Sequence, residues 1–145
     1  MTYVRDILNG KSSEVHSISA DATVYEALKL MSEKEIGALV VTEGEKVVGI
    51  LSERDYARKI ILKGKASKDT LVREVMSSHL IQVRPENTVE ECMIVMTGKH
   101  VRHLPVFEQE KFVGIISIGD VVKSIISRQE LLIEQLSNYI AGKYT

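Results

Sequence analysis

Cysteine is nearly missing from this chain. Cys92 stands alone among 145 residues, so no intrachain disulfide can form and a cysteine-rich metal site is excluded. A reducing compartment, the cytoplasm, is the expected setting. No apolar run approaches the ~20 residues that a membrane span requires, and the first eleven residues, MTYVRDILNGK, carry no apolar stretch behind a basic start. Neither a spanning segment nor a signal peptide is expected. An excess of positive charge is also lacking: the formal net charge is -1 and the basic residues are scattered. A broad cationic surface that would neutralise a nucleic-acid backbone is therefore not expected. His16, His79, His100 and His103 share no spacing with a cysteine or carboxylate cluster, which argues against a metal centre. No nucleophile elbow, GxxxxGK[ST] loop, HExxH or GxGxxG occurs, and the chain reads as a non-enzyme.

What the sequence has is a length and composition suited to one globular unit. Hydrophobic residues make up 44% and charged residues 27%, enough to bury a core without staples. It also has a repeat. Setting Val24 against Val89 and keeping that offset of 65 without gaps aligns Thr23 with Thr88, Glu26 with Glu91, Met31 with Met96 and Val41 with Val106. Farther on, Val48-Gly49-Ile50 falls on Val113-Gly114-Ile115, Ser52 on Ser117, Asp55 on Asp120, and Ile60-Ile61 on Ile125-Ile126. Self-similarity at a fixed period means one supersecondary unit built twice.

Each copy reads in the same order. Val24, Ala27, Leu28 and Met31, like Val89, Cys92, Met93 and Met96, fall at i, i+3, i+4 and i+7, the stripe of an amphipathic helix. Cys92 occupies the place of Ala27, which suits small core packing. Asp21 or Thr23, and Asn87 or Thr88, stand where an N-cap would sit, with Pro85 marking a break. Two short apolar runs follow in each copy, Ala38-Leu39-Val40-Val41 then Val47-Val48-Gly49-Ile50-Leu51, and Leu104-Pro105-Val106-Phe107 then Phe112-Val113-Gly114-Ile115-Ile116. These predict hairpins, with an edge or irregular start at Pro105. A helix begins near Ser52 and near Ser117, and short strands are expected near residues 15–18 and 80–83.

The fold class expected is therefore α/β (α+β), with two tandem β-α-β-β-α repeats that are too small to stand comfortably alone and that pack as one module. The repeat pattern divides the chain into residues 1–66, 67–128 and a helical tail at 129–145, with residues 64–69 as the crossing and 71–76 a short helical piece. Ser52-x-x-Asp55 and Ser117-x-x-Asp120 admit two readings. In one, each is a capping box, the serine capping the helix and the carboxylate reaching back to its backbone N–H. In the other, the short aspartate points outward and accepts a ribose diol, while the helix start and nearby basic side chains receive phosphate.

The doubled G-h-h-S-x-x-D, with Arg102-His103-Leu104-Pro105-Val106 before the second hairpin, resembles the cystathionine-β-synthase (CBS) domain pair, over about residues 15–126. The stretch SERDYARKI, then RHLPV and ISIGDVVK, is similar to small stand-alone proteins made of little besides this pair. The resemblance implies a regulatory, non-catalytic module whose two repeats pack through their sheets and form clefts for AMP, ADP, ATP, NAD or S-adenosylmethionine. It also implies association into a flat homodimer, a use for the apolar stripes after Ser52, after Ser117 and in the tail, and an unknown effector protein as listener. Ser52 with Asp55, and Ser117 with Asp120, match the ribose- and phosphate-contacting positions, with Ile118 beside them. Ile36, Gly37 and Ala38, and Val101, Arg102, His103, Leu104 and Pro105, match the strand entries that line the adenine. Ser17, and Ile81, Gln82 and Val83, match the cleft edge, although the family often has Ser or Thr where Gln82 stands. Arg54 faces Gly119 across the repeat and Gly37 faces Arg102, so the clefts are inequivalent, with Arg54, Arg58, Lys59 or Arg102 available to phosphate. The alternative function is a structural or protein-interaction module in which the SxxD pairs only cap helices.

Overall fold

A computed structural model describes residues 2–11 and 15–142. In chain order the elements are α1 (Val4–Asn9), β1 (Ser17–Ser19), α2 (Val24–Lys34), β2 (Ala38–Glu43), β3 (Lys46–Ser52) and α3 (Glu53–Tyr56), which continues as a π-helical turn (Ala57–Ile61). After these come α4 (Val72–Val75), α5 (Val89–Lys99), β4 (His103–Glu108), β5 (Lys111–Ser117) and α6 (Ile118–Ile140). The chain divides into two compact units. One is residues 14–81; the other joins residues 1–13 to 82–145.

The two units repeat each other down to hydrogen bonds. Thr23 and Thr88 are the N-caps: each hydroxyl accepts from the backbone N–H three residues on, at 3.2 and 3.1 Å. Glu26 and Glu91 return the bond to the threonine N–H, a complete capping box in both copies. The apolar stripes then go inward: Val24, Ala27 and Met31 are buried in one unit, Val89, Cys92 and Met96 in the other. Each helix ends on a left-handed residue, Glu35 at φ 54° and His100 at φ 56°. The N–H five residues past Met31 and Met96 closes on their carbonyls at 3.0 and 3.1 Å, the Schellman ending that usually uses glycine.

Each hairpin pairs antiparallel in the same register, Ala38 with Ser52 and His103 with Ser117, and each carries an irregularity at the same place, after Val41 and after Val106. The early strands differ. β1 pairs in parallel with β2 over three residues, whereas its counterpart shrinks to one bridge, Val83 with Val106. Val83 N–H donates to the Pro105 carbonyl and Phe107 N–H to the Val83 carbonyl. Extending that ladder one step toward the strand's beginning would need an N–H at residue 105, which proline lacks. The strand expected at 80–83 is therefore a single bridged residue.

Short helices complete both sheets. In the first unit Val72 N–H donates to Ala22 and Val24 N–H to Thr70, both at 2.8 Å; in the second, Val4 N–H donates to Asn87 at 2.8 Å and Val89 N–H to Thr2 at 3.0 Å. So α4 serves the first repeat and α1 the second. The repeated glycine has its reason here. A Cβ on Gly49 would meet Met76 Sδ at 2.8 Å and the Ser77 carbonyl at 2.9 Å; on Gly114 it would meet Leu8 Cδ2 at 2.8 Å. At Gly49 a Cβ would press on the Ser77 backbone, whereas at Gly114 the flexible end of Leu8 would have to give way. The tail forms no separate helix: residues 118–140 are one continuous α6.

Candidate functional site

The turn from the last strand into the following helix is built identically in the two units. The Gly37 carbonyl accepts from Glu53 N–H at 3.0 Å, and the Arg102 carbonyl accepts from Ile118 N–H at 2.8 Å. These bonds bring residues 36–38 beside 52–55, and 101–104 beside 117–120. Ser52 Oγ accepts from Asp55 N–H at 3.2 Å and Ser52 N–H donates to Asp55 Oδ2 at 3.0 Å. The corresponding distances for Ser117 and Asp120 are 3.1 and 2.8 Å. Both Ser-x-x-Asp motifs therefore are capping boxes, with one carboxylate oxygen bound to the turn. Asp can replace the usual Glu because each serine N–H lies within its shorter reach.

Capping does not exhaust these carboxylates. Lys59 Nζ lies 3.3 Å from Asp55 Oδ1 and donates to the Val75 carbonyl at 2.9 Å. Lys11 Nζ lies 2.8 Å from Asp120 Oδ2 and donates to the Ile115 carbonyl at 3.0 Å. Burial pushes the Asp120 carboxyl up, but the hydrogen bond from Lys11, the Ser117 N–H and the Lys11 charge outweigh it and hold the group below the ordinary carboxylate range. Both sites thus pair an aspartate with an ammonium, supplied in one by the same helix and in the other by the segment after α1. Around the second lies a cleft of about 230 Å³ whose walls include Lys11, Asp120, Lys123, Ser124 and Ser127.

Other expected residues take varied places. Ser17 is exposed on β1, and Ile36 and Gly37 form the half-buried entry to β2, whose first residue Ala38 is buried. Arg54 is half-buried in the first turn of α3, beside Asp55. In the second unit Leu104 and Val83 are buried, Pro105 is buried within β4, Val101 and His103 are half-buried, and Arg102, Gln82 and Ile118 are exposed. Ile81 and Gln82 fall in different units. Lys11 escaped the sequence reading because it precedes the repeat and aligns, at the same offset, with Met76. Cys92 is buried, and burial pushes its thiol up to about 11. Among the described residues no group of three or more His, Cys, Asp or Glu side chains could hold a metal ion, and no helix is long and apolar enough to cross a membrane.

Comparison with known proteins gives the same outline. A solved CBS-domain protein from Burkholderia ambifaria superposes with a TM-score of 0.86 at 45% identity, over 88% of this chain and 96% of that one. The CBS domain pair of a protein solved in complex with 5′-methylthioadenosine and S-adenosyl-L-methionine shares the fold, with a TM-score of 0.76 at 24% identity over 88% of this chain and 98% of that one. A mitochondrial CBS domain-containing protein of Arabidopsis thaliana is 38% identical over 99% of this chain and 74% of its own length. The CBS domain family profile matches residues 4–62 and 72–127, one match for each repeat, and the chain belongs to the CBS domain family as a tandem pair.

Proposed function

We propose that this chain is a regulatory sensor of an adenosine-containing ligand, AMP, ADP, ATP or NAD, held at the Ser-x-x-Asp turns and reported to a separate effector protein. The observation that carries the reading is the lysine beside each capping aspartate. A carboxylate can accept the two hydroxyls of a ribose, and an ammonium within 3.3 Å of it suits the phosphate attached to that ribose. The strand entries at 36–38 and 101–104, tied to the same turns by backbone bonds, then offer the base a wall. The fold neighbour that holds S-adenosyl-L-methionine lends support by analogy of fold. A role without catalysis and a cytoplasmic setting belong to the same reading.

Ligand state changes output only through a difference in affinity between two arrangements of the protein. The experiment must also separate binding from capping. Asp55→Asn and Asp120→Asn keep a capping oxygen but lose the charge, and a hydrogen bond to a charged group contributes about 1.5–3 kcal/mol. A thermal-shift and calorimetric panel of AMP, ADP, ATP, NAD and S-adenosylmethionine, with GMP as control, should show a shift for adenosine compounds that weakens about ten- to a hundredfold in the Asn variants. No shift with any of them at millimolar concentration would leave the capping role alone and make the pair an interaction module.

A further inference from the structure

The cleft beside Asp120 is polar almost throughout. Its volume of about 230 Å³ falls below the roughly 300–1,000 Å³ of pockets that enclose a whole small molecule, and its one large apolar wall residue is Ile7. Such a cleft suits part of a ligand, and not the base. One side of it is a single face of α6: Asp120, Lys123, Ser124 and Ser127 stand at i, i+3, i+4 and i+7, and so line up on the helix over about 10 Å at 1.5 Å per residue.

Donors outnumber acceptors along this face. Asp120 Oδ2 already accepts from Ser117 N–H and from Lys11, and Asp6 Oδ2 accepts from Tyr3 N–H at 2.8 Å. Lys11 gives one N–H to Asp120 and one to the Ile115 carbonyl, which leaves its third. Among the described residues Lys123 has no ion pair, and the Ser124 and Ser127 hydroxyls have no hydrogen bond. A row of unfilled N–H and O–H donors matches phosphate oxygens, which only accept. Formal charge adds a condition. Lys11 and Lys123 are balanced by Asp6 and Asp120, so the cleft gathers no free anion from a distance; a phosphate chain must arrive tethered to a group already held nearby, at high effective concentration.

The first unit has no such face. At the offset of 65, Arg58, Lys59 and Leu62 stand opposite Lys123, Ser124 and Ser127. Lys59 is turned to Asp55 and the Val75 carbonyl, the π turn Ala57–Ile61 rewinds the helix there, and Leu62 replaces a hydroxyl with an exposed apolar side chain. We propose that the α6 face of the second unit holds the outer phosphates of a nucleoside di- or triphosphate whose ribose lies on Asp120, so that this site distinguishes ADP and ATP from AMP through Lys123. The proposal rests on the sensing reading for the ribose and names the ligand class of one of its two sites. The first phosphate stays with Lys11 at the turn, and those beyond it reach Lys123, Ser124 and Ser127.

The test is calorimetric titration of the Asp55→Asn protein, in which the first site is weakened, with adenosine, AMP, ADP, ATP and inorganic tripolyphosphate. ATP should bind about tenfold or more tighter than AMP. Lys123, being exposed, can be changed without disturbing the core: Lys123→Met should bring ATP down to the affinity of AMP and leave AMP and adenosine unchanged, whereas Lys123→Arg should keep the preference. Tripolyphosphate alone should give no heat. Equal binding of AMP and ATP, or an equal loss of both in Lys123→Met, overturns this proposal and leaves the sensing reading standing. Tripolyphosphate binding as tightly as ATP overturns the tether to the ribose. If no adenosine compound binds at all, the sensing reading fails and takes this proposal with it.

Discussion

After Ser52 and after Ser117 the chain starts the same helix and stops it differently. The first runs four residues as α-helix, widens into the π turn Ala57–Ile61 and ends before Gly64, at φ +69°. In the wide turn Leu62 N–H reaches back to Ala57 and Lys65 N–H to Ile60, and Ile60 is buried in the core. The second, beginning with the same capping box, continues for 23 residues. At the common offset of 65, the residue opposite Gly64 is Gln129. Glycine adopts the left-handed conformation without penalty and ends a helix there; glutamine is a good helix former. At this position one copy turns at a glycine and the other continues as helix.

The largest effect should come from Gly49, with its counterpart Gly114 as the contrast. Gly49→Ala drives a methyl into the Ser77 carbonyl, which is backbone, and should destabilise by about 2–3 kcal/mol; Gly114→Ala meets the end of the flexible Leu8 side chain and should cost about 1 kcal/mol or less. Urea melts of the two variants check the ranking, and equal losses would sink it. Next come the stop residues: Gln129→Gly should fray α6 and lower the helical circular dichroism signal, at about 1 kcal/mol. Gly64→Gln forces a side chain into positive φ and should cost about 1–2 kcal/mol without lengthening α3.

The hairpins permit a gain. The first turn uses Gly44 at φ +64°, but the second holds Gln109 at φ 50° and Glu110 at φ 67°, a pair of left-handed residues that suits Asn-Gly. Gln109→Asn with Glu110→Gly should raise stability by about 0.5–1 kcal/mol, read as a higher melting temperature. The smallest effect is electrostatic. Asp120 titrates below its ordinary range in the folded protein, so its contribution is complete above the unfolded value of about 3.9 and is lost as pH falls through the folded one. Lys11→Met should flatten that acid-side decline in a pH series of melts; because the pair is partly exposed, solvent screens it.

The duplicated architecture was legible because capping, periodicity and turn chemistry are local. Thr23, Thr88, the two apolar stripes and both Ser-x-x-Asp turns follow from residues within four positions of one another. What escaped the reading is non-local. Nothing near Lys11 announces Asp120, more than a hundred residues away, and nothing near Gly49 announces Met76. The weak strand at Val83 follows from Pro105, which the sequence marked as irregular without saying which neighbour would lose its partner. The continuous α6 was divided in the reading because the repeat pattern ends near residue 126 while the helical pattern does not.

The way α1 completes the second repeat also bears on the order in which the protein assembles. The unit of residues 14–81 is one uninterrupted stretch, so its sheet closes through contacts within that stretch. Its sibling must bring residues 2–11 back to strands that are synthesised some hundred residues later, and long-range closure is slow. Until then the place that Leu8 takes against Gly114 has no occupant, and the nascent α1 carries an uncovered apolar face. The first repeat is therefore expected to form its contacts from one continuous stretch, whereas the second must wait for a closure that spans about a hundred residues.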